Sequence, residues 1–496
     1  MTLYLKYIII ANNPILIRGD ILKILNGIKP ESVFGFFEEI SSIPRGSGNT
    51  QRLREYCEAF AEKRGLRYIS DDAGNIVIFK PASDACSSDS PVIIQGHLDM
   101  VWEKDEKCTI DFNTDGLELE VNGDFISAKG TTLGGDDGIA VAMCLALLDS
   151  RDICHPPLEV VFTADEETGM FGASALDCSY LKSKRMINLD SEAEGTLWVS
   201  CAGGLRADIK LPVEYEENHR TAYAVSLGGL HGGHSGTEIH KGYANANKLL
   251  GKMLSKLGEK TDFGIIKISG GTMDNAITRE ALCVIAAADD VEEAVKSIAD
   301  TLKAEYPAET DMLISVESVE GEKSVMTKRS TQAVIGLLNE LPNGVIAMSA
   351  ELENFVETSL NLGILKTEEN TVSFGFALRS GVDGERDKLA ERLKKIADKY
   401  FCSVDFYGEY PAWEYKKDSQ LRETMSAVYK EMFNADINVT AIHAGLECGI
   451  FCGKIKELDC VSLGPDMLDI HTPSERLSIS STERVWNFLL CVLERI

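Results

Sequence analysis

The sequence predicts an α/β fold built on a mixed sheet, interrupted by an internally duplicated α+β domain. Three observations lead there. Four short apolar runs show little alternation, as strands buried on both faces do. They are 92–97 (VIIQGH), 158–163 (LEVVFT), 186–190 (MINLD) and 461–464 (VSLG). The middle of the chain repeats one strand–helix–strand unit, at 281–316 and again at 372–406. Three apolar runs precede that repeat and the fourth follows it, so the repeat is an insertion. The expected division is 1–205 and 409–496 for the first domain, and 206–408 for the inserted one.

The elements follow in order. Residues 1–20 hold one short apolar run, closed by Asn12-Asn13-Pro14. That run is too short for a convincing secretory segment, and the stretch reads as an appendage. Residues 30–64 carry helical periodicity through Val33, Phe36, Phe37, Ile40, Leu53, Tyr56 and Phe60. Residues 138–148 (GIAVAMCLALL) are apolar nearly all round, hence a buried helix. In the repeat, strands at 281–287 and 372–378 lead through turns to helices at 291–306 and 386–400. Strands follow at 312–316 and 402–406.

Composition narrows the function classes. In 496 residues, 50 Lys and Arg face 78 Asp and Glu, a net charge of −28. Such a chain repels phosphate backbones and anionic lipid, so neither nucleic acid nor a membrane is an expected partner. No run reaches the ~18 apolar residues of a membrane span. Thirteen scattered cysteines read as reduced thiols and a cytoplasmic setting. Cys448 and Cys452 read as packing residues.

The chemistry gathers at the ends of the apolar runs, where open α/β sheets place their sites. His97 and Asp99 stand two apart on a strand and so share a face, which suits a metal ligand and the carboxylate that orients its ring. Asp136 and Asp137 precede the buried helix, as an N-cap or a bridging carboxylate would. Asp165, Glu166 and Glu167 follow a strand, and three carboxylates there are costly without a cation. Adjacent glutamates allow one to coordinate and one to stay free as a base. Asp190 ends another strand, and His471 adds a second imidazole. Two His and several carboxylates can hold two divalent ions bridged by one carboxylate.

These motifs together resemble the M20 family of di-zinc metallopeptidases, in its branch of aminoacyl-histidine (beta-Ala-His, or cytosol non-specific) dipeptidases. The matching stretches are QGHLDMV at 95–101, 132–140, TADEETGMFG at 163–172, NLDSE at 188–192, 232–239, GGTMDNAI at 270–277, IHAGLECG at 442–449 and 471–476. The resemblance implies a zinc-peptidase catalytic domain with an inserted lid. It implies two divalent metal ions, foremost Zn²⁺ with Co²⁺ or Mn²⁺ admitted by the N/O donor set. His97 and Asp190 would hold one and Glu167 and His471 the other, with Asp136 bridging. Asp99 would orient His97, and Glu166 would be the general base. His234 would stabilise the oxyanion, and Asn275 and Arg379 would grip the substrate's C-terminal carboxylate. Asp137 stands where the family more often has Asn. His443 and Glu447 lie in a motif of the branch without an assigned role.

The implied activity is hydrolysis of unblocked dipeptides, including Xaa-His such as beta-alanyl-histidine. The alternatives on the same scaffold are a carboxypeptidase, a tripeptidase or an N-acyl amino acid deacylase. A metal-binding protein without catalysis would have lost the base or a ligand, and this chain retains them. The expected partner is a small peptide, and a homodimer is compatible with the reading.

Overall fold

The computed structural model describes residues 24–496 apart from Ser87 and Gly321, so the expected appendage at 1–20 lies outside the described residues. The architecture is mixed α/β with two large sheets. The first has eight strands in the order Arg67–Ser70, Ile76–Lys80, Leu158–Thr163, Val92–His97, Arg185–Asn188, Asp459–Ser462, Thr196–Cys201, Asn438–Ile442. The four apolar runs of the sequence become its four adjacent central strands. They run parallel to one another, with His97 opposite Thr163, and Gln95 and Ser462 both opposite Asn188. Their carboxyl ends therefore open on one edge. The outer strand Ile76–Lys80 is antiparallel to Leu158–Thr163, which makes the sheet mixed.

Every residue of Val92–His97, Leu158–Thr163 and Asp459–Ser462 is buried, which is why they read as continuous apolar runs. Helix Gly135–Asp149 lies on this sheet with residues 135–148 all buried. A Cβ at Gly96 would sit 2.5 Å from Asp137 Oδ2 and 2.8 Å from Ala140 Cβ, so a glycine there lets helix and strand meet. The periodic stretch 30–64 is two helices, Glu31–Ser41 and Gln51–Arg64. Pro44, Gly46 and Gly48 interrupt it, because proline and glycine break helical propagation.

The second sheet draws its nine strands from 203–410. Its order is Leu313–Val319, Thr221–Gly228, Ala281–Ala287, Phe263–Gly270, Val356–Thr367, Thr371–Ser380, Gly203–Pro212, Ser403–Tyr410, with Gly344–Met348 paired beside Val356–Thr367. Both repeated units are here, with helices Glu292–Glu305 and Asp383–Lys399 between their strands. The two halves mirror each other across a short seam, where Ser269 and Gly270 face Lys366 and Leu365. One half is nested inside the other: residues 221–319 fall between Gly203–Pro212 and the remaining strands of the second half.

The chain passes between the sheets twice, and the two passages are bonded together. Cys201 and Trp413 exchange backbone hydrogen bonds at 3.1 Å in both directions, and Ala202 N–H donates to the carbonyls of Ile442 and Ala444 at 3.1 Å. A small sheet of Met467–Leu468, Arg476–Ser478, Phe125–Ala128 and Leu119–Asn122 brings the segment carrying His471 back over the first sheet. Among the described residues no helix is long and apolar enough to cross a membrane.

Candidate active site

Strand ends and one loop converge on a cluster of carboxylates around two imidazoles. His97 Nε2 lies 3.1 Å from Asp136 Oδ1 and 3.6 Å from Asp190 Oδ1. His471 Nε2 lies 3.1 Å from Asp136 Oδ2 and 3.0 Å from Glu167 Oε1. Asp136 thus offers one oxygen to each histidine. Asp137 behaves differently: its Oδ2 accepts the His97 backbone N–H at 3.0 Å, and its Oδ1 is buried without a partner. Neither aspartate side chain makes a capping hydrogen bond to this helix: Gly134 precedes its first residue, and the backbone kinks at the two aspartates.

The electrostatics are those of a cation site. Burial raises the carboxyls of Glu167 and Asp190. Burial and the charges of Asp190, Glu447 and Glu167 raise that of Glu166 well above its usual value. Asp136 is held below the usual carboxylate range despite burial, by hydrogen bonds to His471 and His97. The His471 ring is pushed up to about 11 by its bonds to Asp136 and Glu167. Two rings do not neutralise this many carboxylates. The donor set, imidazole nitrogens with carboxylate oxygens, fits two divalent cations. The ligand atoms of His97, Asp136 and Glu167 lie within 4.8 Å of one another, as do those of His97, Asp137 and Asp190. His471 stays 43% exposed, so the cluster opens to solvent.

A layer of fixed groups holds the cluster. Asp99 Oδ1 is 3.3 Å from His97 Nδ1 and accepts the Glu166 N–H at 3.0 Å. Its Oδ2 accepts from the Ser47 hydroxyl at 2.8 Å and from the Glu167 N–H at 3.3 Å. One carboxylate therefore orients the His97 ring and anchors the Glu166-Glu167 turn.

Three supports carried no role in the sequence reading. The fully buried Arg45 guanidinium donates to the carbonyls of Leu98, Asp99 and Gly134, tying the His97 and Asp136 segments together. Glu475 accepts the backbone N–H groups of Leu133, Gly134, Gly135 and Asp136. Glu447 is fully buried and accepts from Gln95 at 2.5 Å and Thr163 at 2.7 Å, and burial pushes its carboxyl up to about 8. The available signals were an arginine in a Pro-Gly break, and an acid four residues after His471.

The second sheet contributes a separate group. Thr237 N–H donates to His234 Nδ1 at 3.2 Å, which leaves the Nε2 of a neutral ring as the donor. Burial and then the charge of Arg379 lower the His234 pKa, consistent with that neutral form. Arg379 Nη1 donates to the Tyr410 hydroxyl at 3.0 Å, and its Nε is buried without a partner. Asn275 stands beside His234, its carbonyl accepting the Ser235 N–H at 2.8 Å. Among the described residues, no hydrogen bond or ion pair joins His234, Asn275 or Arg379 to the carboxylate cluster. The structure gathers the sequence candidates into two groups, the cluster and this second one.

Known proteins resemble both sheets together. The chain is 37% identical over 479 residues to the cytosol non-specific dipeptidase of Escherichia coli (strain K12), covering 95% of this chain and 99% of that protein. Its structure is similar to that of the aminoacylhistidine dipeptidase from Vibrio alginolyticus, with a TM-score of 0.90, 36% identity, and 95% and 98% of the two chains covered. A tripeptidase from Staphylococcus aureus shares the fold at a TM-score of 0.54 and 16% identity, over 94% and 98% of the chains. Residues 93–495, most of the chain, match a single family description. With that match and those relatives, the chain belongs to peptidase family M20/M25/M40.

Proposed function

We propose that the chain is a metal-dependent dipeptidase that hydrolyses unblocked dipeptides, Xaa-His such as beta-alanyl-histidine among them. One observation carries the reading: Asp136 turns one oxygen to each histidine, while among the described residues Glu166 makes no hydrogen bond or ion pair with either ring. The relatives named as dipeptidases, similar over nearly the full chain, support the substrate class.

In this reading His97 and Asp190 would hold one divalent ion, Glu167 and His471 the other, and Asp136 would serve both. Zn²⁺ is the foremost occupant, with Co²⁺ and Mn²⁺ alternatives for the same donors. Ions bound there would supply polarisation of the scissile carbonyl and a lowered pKa for the attacking water. Glu166 takes the water's proton and passes it to the leaving amine. Its carboxyl, left out of the metal-holding set, is free for both acceptance and return. Asp99 keeps the His97 ring and the Glu166 backbone in fixed relation. His234 donates from Nε2 to the oxyanion, and Arg379 with Asn275 takes the substrate carboxylate. A carboxylate held at one fixed point selects a scissile bond one residue from the C-terminus.

Residues 1–205 and 409–496 are read as the catalytic domain and 206–408 as its lid, supported by the separate strand sets of the two sheets. Thirteen free cysteines and the cytosol dipeptidase relative support a cytoplasmic setting. The test is a hydrolysis panel of dipeptides, dipeptide amides, tripeptides and N-acyl amino acids, before and after chelation. Free dipeptides are the expected best substrates, with activity lost on chelation and restored by Zn²⁺. Preferred cleavage of tripeptides or N-acetyl amino acids, or insensitivity to chelation, overturns the reading.

A further inference from the structure

Between the two sheets sits a buried cation that has no anionic partner among the described residues. Arg379 is 9% exposed, and its hydrogen-bond partner is the Tyr410 hydroxyl. A buried guanidinium without a counter-charge is costly, so the surroundings that hold it in place bear on what it binds.

Ser359 stands directly opposite Arg379 on the neighbouring antiparallel strand, so the two side chains leave the sheet on the same face. The Ser359 hydroxyl lies 2.7 Å from Nε2 of His443. His443 belongs to the other layer, immediately after strand Asn438–Ile442. It is 6% exposed, its Nδ1 is buried without a partner, and its ring stands edge-on to Phe355 at 6.0 Å. Its backbone also meets the loop that bears His234. A Cβ on Gly236 would lie 2.5 Å from the His443 carbonyl oxygen and 2.9 Å from the His234 ring. A single residue of the first layer therefore touches the neighbours of both Arg379 and His234.

We propose that His443, docked on Ser359, is a positioning residue that holds Arg379 in register for the carboxylate of a short substrate and seats the His234 loop beside it. The inference rests on the dipeptidase reading of Arg379 and adds two residues to it. A neutral ring suits the role. Burial, then the charges of Arg379 and His234, push His443 down to about 3, so it adds no competing cation.

The experiment measures kcat and KM for a free dipeptide and for the same dipeptide amidated, in the metal-loaded full chain. The variants are Ser359→Ala, His443→Ala, His443→Gln, Arg379→Ala and the double variant Ser359→Ala with Arg379→Ala. Ser359→Ala removes one hydroxyl and keeps the test alive if His443→Ala does not fold. Expected is a roughly 5- to 10-fold rise in KM for the free acid in Ser359→Ala, the size of one lost hydrogen bond, with kcat little altered. The acid-to-amide ratio of kcat/KM should fall by the same factor. His443→Gln, which can still reach Ser359, should recover most of the ratio. In the Arg379→Ala background, loss of the Ser359 hydroxyl should lower the ratio no further. A parental ratio in both Ser359→Ala and His443→Ala overturns the proposal, as does a full additional loss in the double variant. If the parent cleaves acid and amide equally, the carboxylate clamp itself falls, and this inference with it. If the parent cleaves no dipeptide, the dipeptidase reading falls first.

Discussion

Glu475→Gln tests how the cluster is held. Glu475 is 2% exposed, and its two oxygens split four backbone donors between them. Oε2 accepts from Leu133 at 2.8 Å and Gly134 at 3.0 Å; Oε1 accepts from Gly135 at 2.7 Å and Asp136 at 3.4 Å. A glutamine with its oxygen in the Oε2 position keeps the first pair. Its NH₂ then faces the N–H groups of Gly135 and Asp136, donor against donor. The strong charge-assisted bond from Gly135, worth about 1.5–3 kcal/mol, and the longer one from Asp136 both disappear, and two buried N–H groups lose this acceptor. The negative charge that helps offset buried Arg45 goes as well. The sum is a destabilisation of roughly 2–4 kcal/mol centred on the segment that positions Asp136. Metal affinity should fall by about 10- to 100-fold, as for lost groups that orient ligands. The assay pairs melting of the metal-free protein with a competitive metal titration against a chromophoric chelator. A variant that melts and binds metal like the parent refutes the reasoning.

Other outcomes follow from the same geometry. Glu166→Ala should lower kcat by roughly 10²–10⁴ while metal content stays at the parental level, read by elemental analysis. Metal loss in that variant with retention in Glu167→Ala would exchange the two roles. His234→Ala should lower kcat by about 10²–10³, the loss seen for an oxyanion donor, with melting unchanged. A wild-type kcat would make it a loop residue. For His443 the sign is set by burial: its folded pKa, about 3, lies below the unfolded value near 6.5. Its stabilising effect is complete above pH 6.5 and lost as the pH falls toward 3, by about 1.4 kcal/mol per unit. His443→Gln should therefore flatten the acid side of the stability curve relative to the parent. Identical slopes in urea unfolding between pH 6.5 and 4 would exclude a buried neutral ring.

What could be read from sequence, and what could not, divides along physical lines. The four central strands were legible because burial on both faces leaves no alternation to confuse them with surface strands. His97, Asp99, Asp136, Glu167 and Asp190 were legible as candidates because the chain places them directly beyond apolar runs or before an apolar helix. The break in 30–64 was hidden by matching periodicity on both sides of Pro44. Arg45 and Glu475 act through backbone atoms distant in sequence, and the local signals at each, a Pro-Gly break and a nearby His471, do not say which backbone groups they hold. The nested order of the second sheet was likewise hidden, since pairing Phe263–Gly270 with Val356–Thr367 depends on contacts across the whole insertion.

The strand Asp459–Ser462, wedged between Arg185–Asn188 and Thr196–Cys201, has a consequence for how the chain is made. A ribosome completes His97, Asp136, Glu167 and Asp190 long before it reaches that strand or His471. Until then two apolar strand edges in the middle of the first sheet stand unpaired, the condition that invites association with other nascent chains. The 203–410 sheet has all its strands by residue 410 and can finish in the meantime. The last stretch of translation then closes the split sheet and delivers the final imidazole in one event. On the dipeptidase reading, a half-made chain lacks its last metal-holding side chain and so has no complete centre with which to attack the peptides around it.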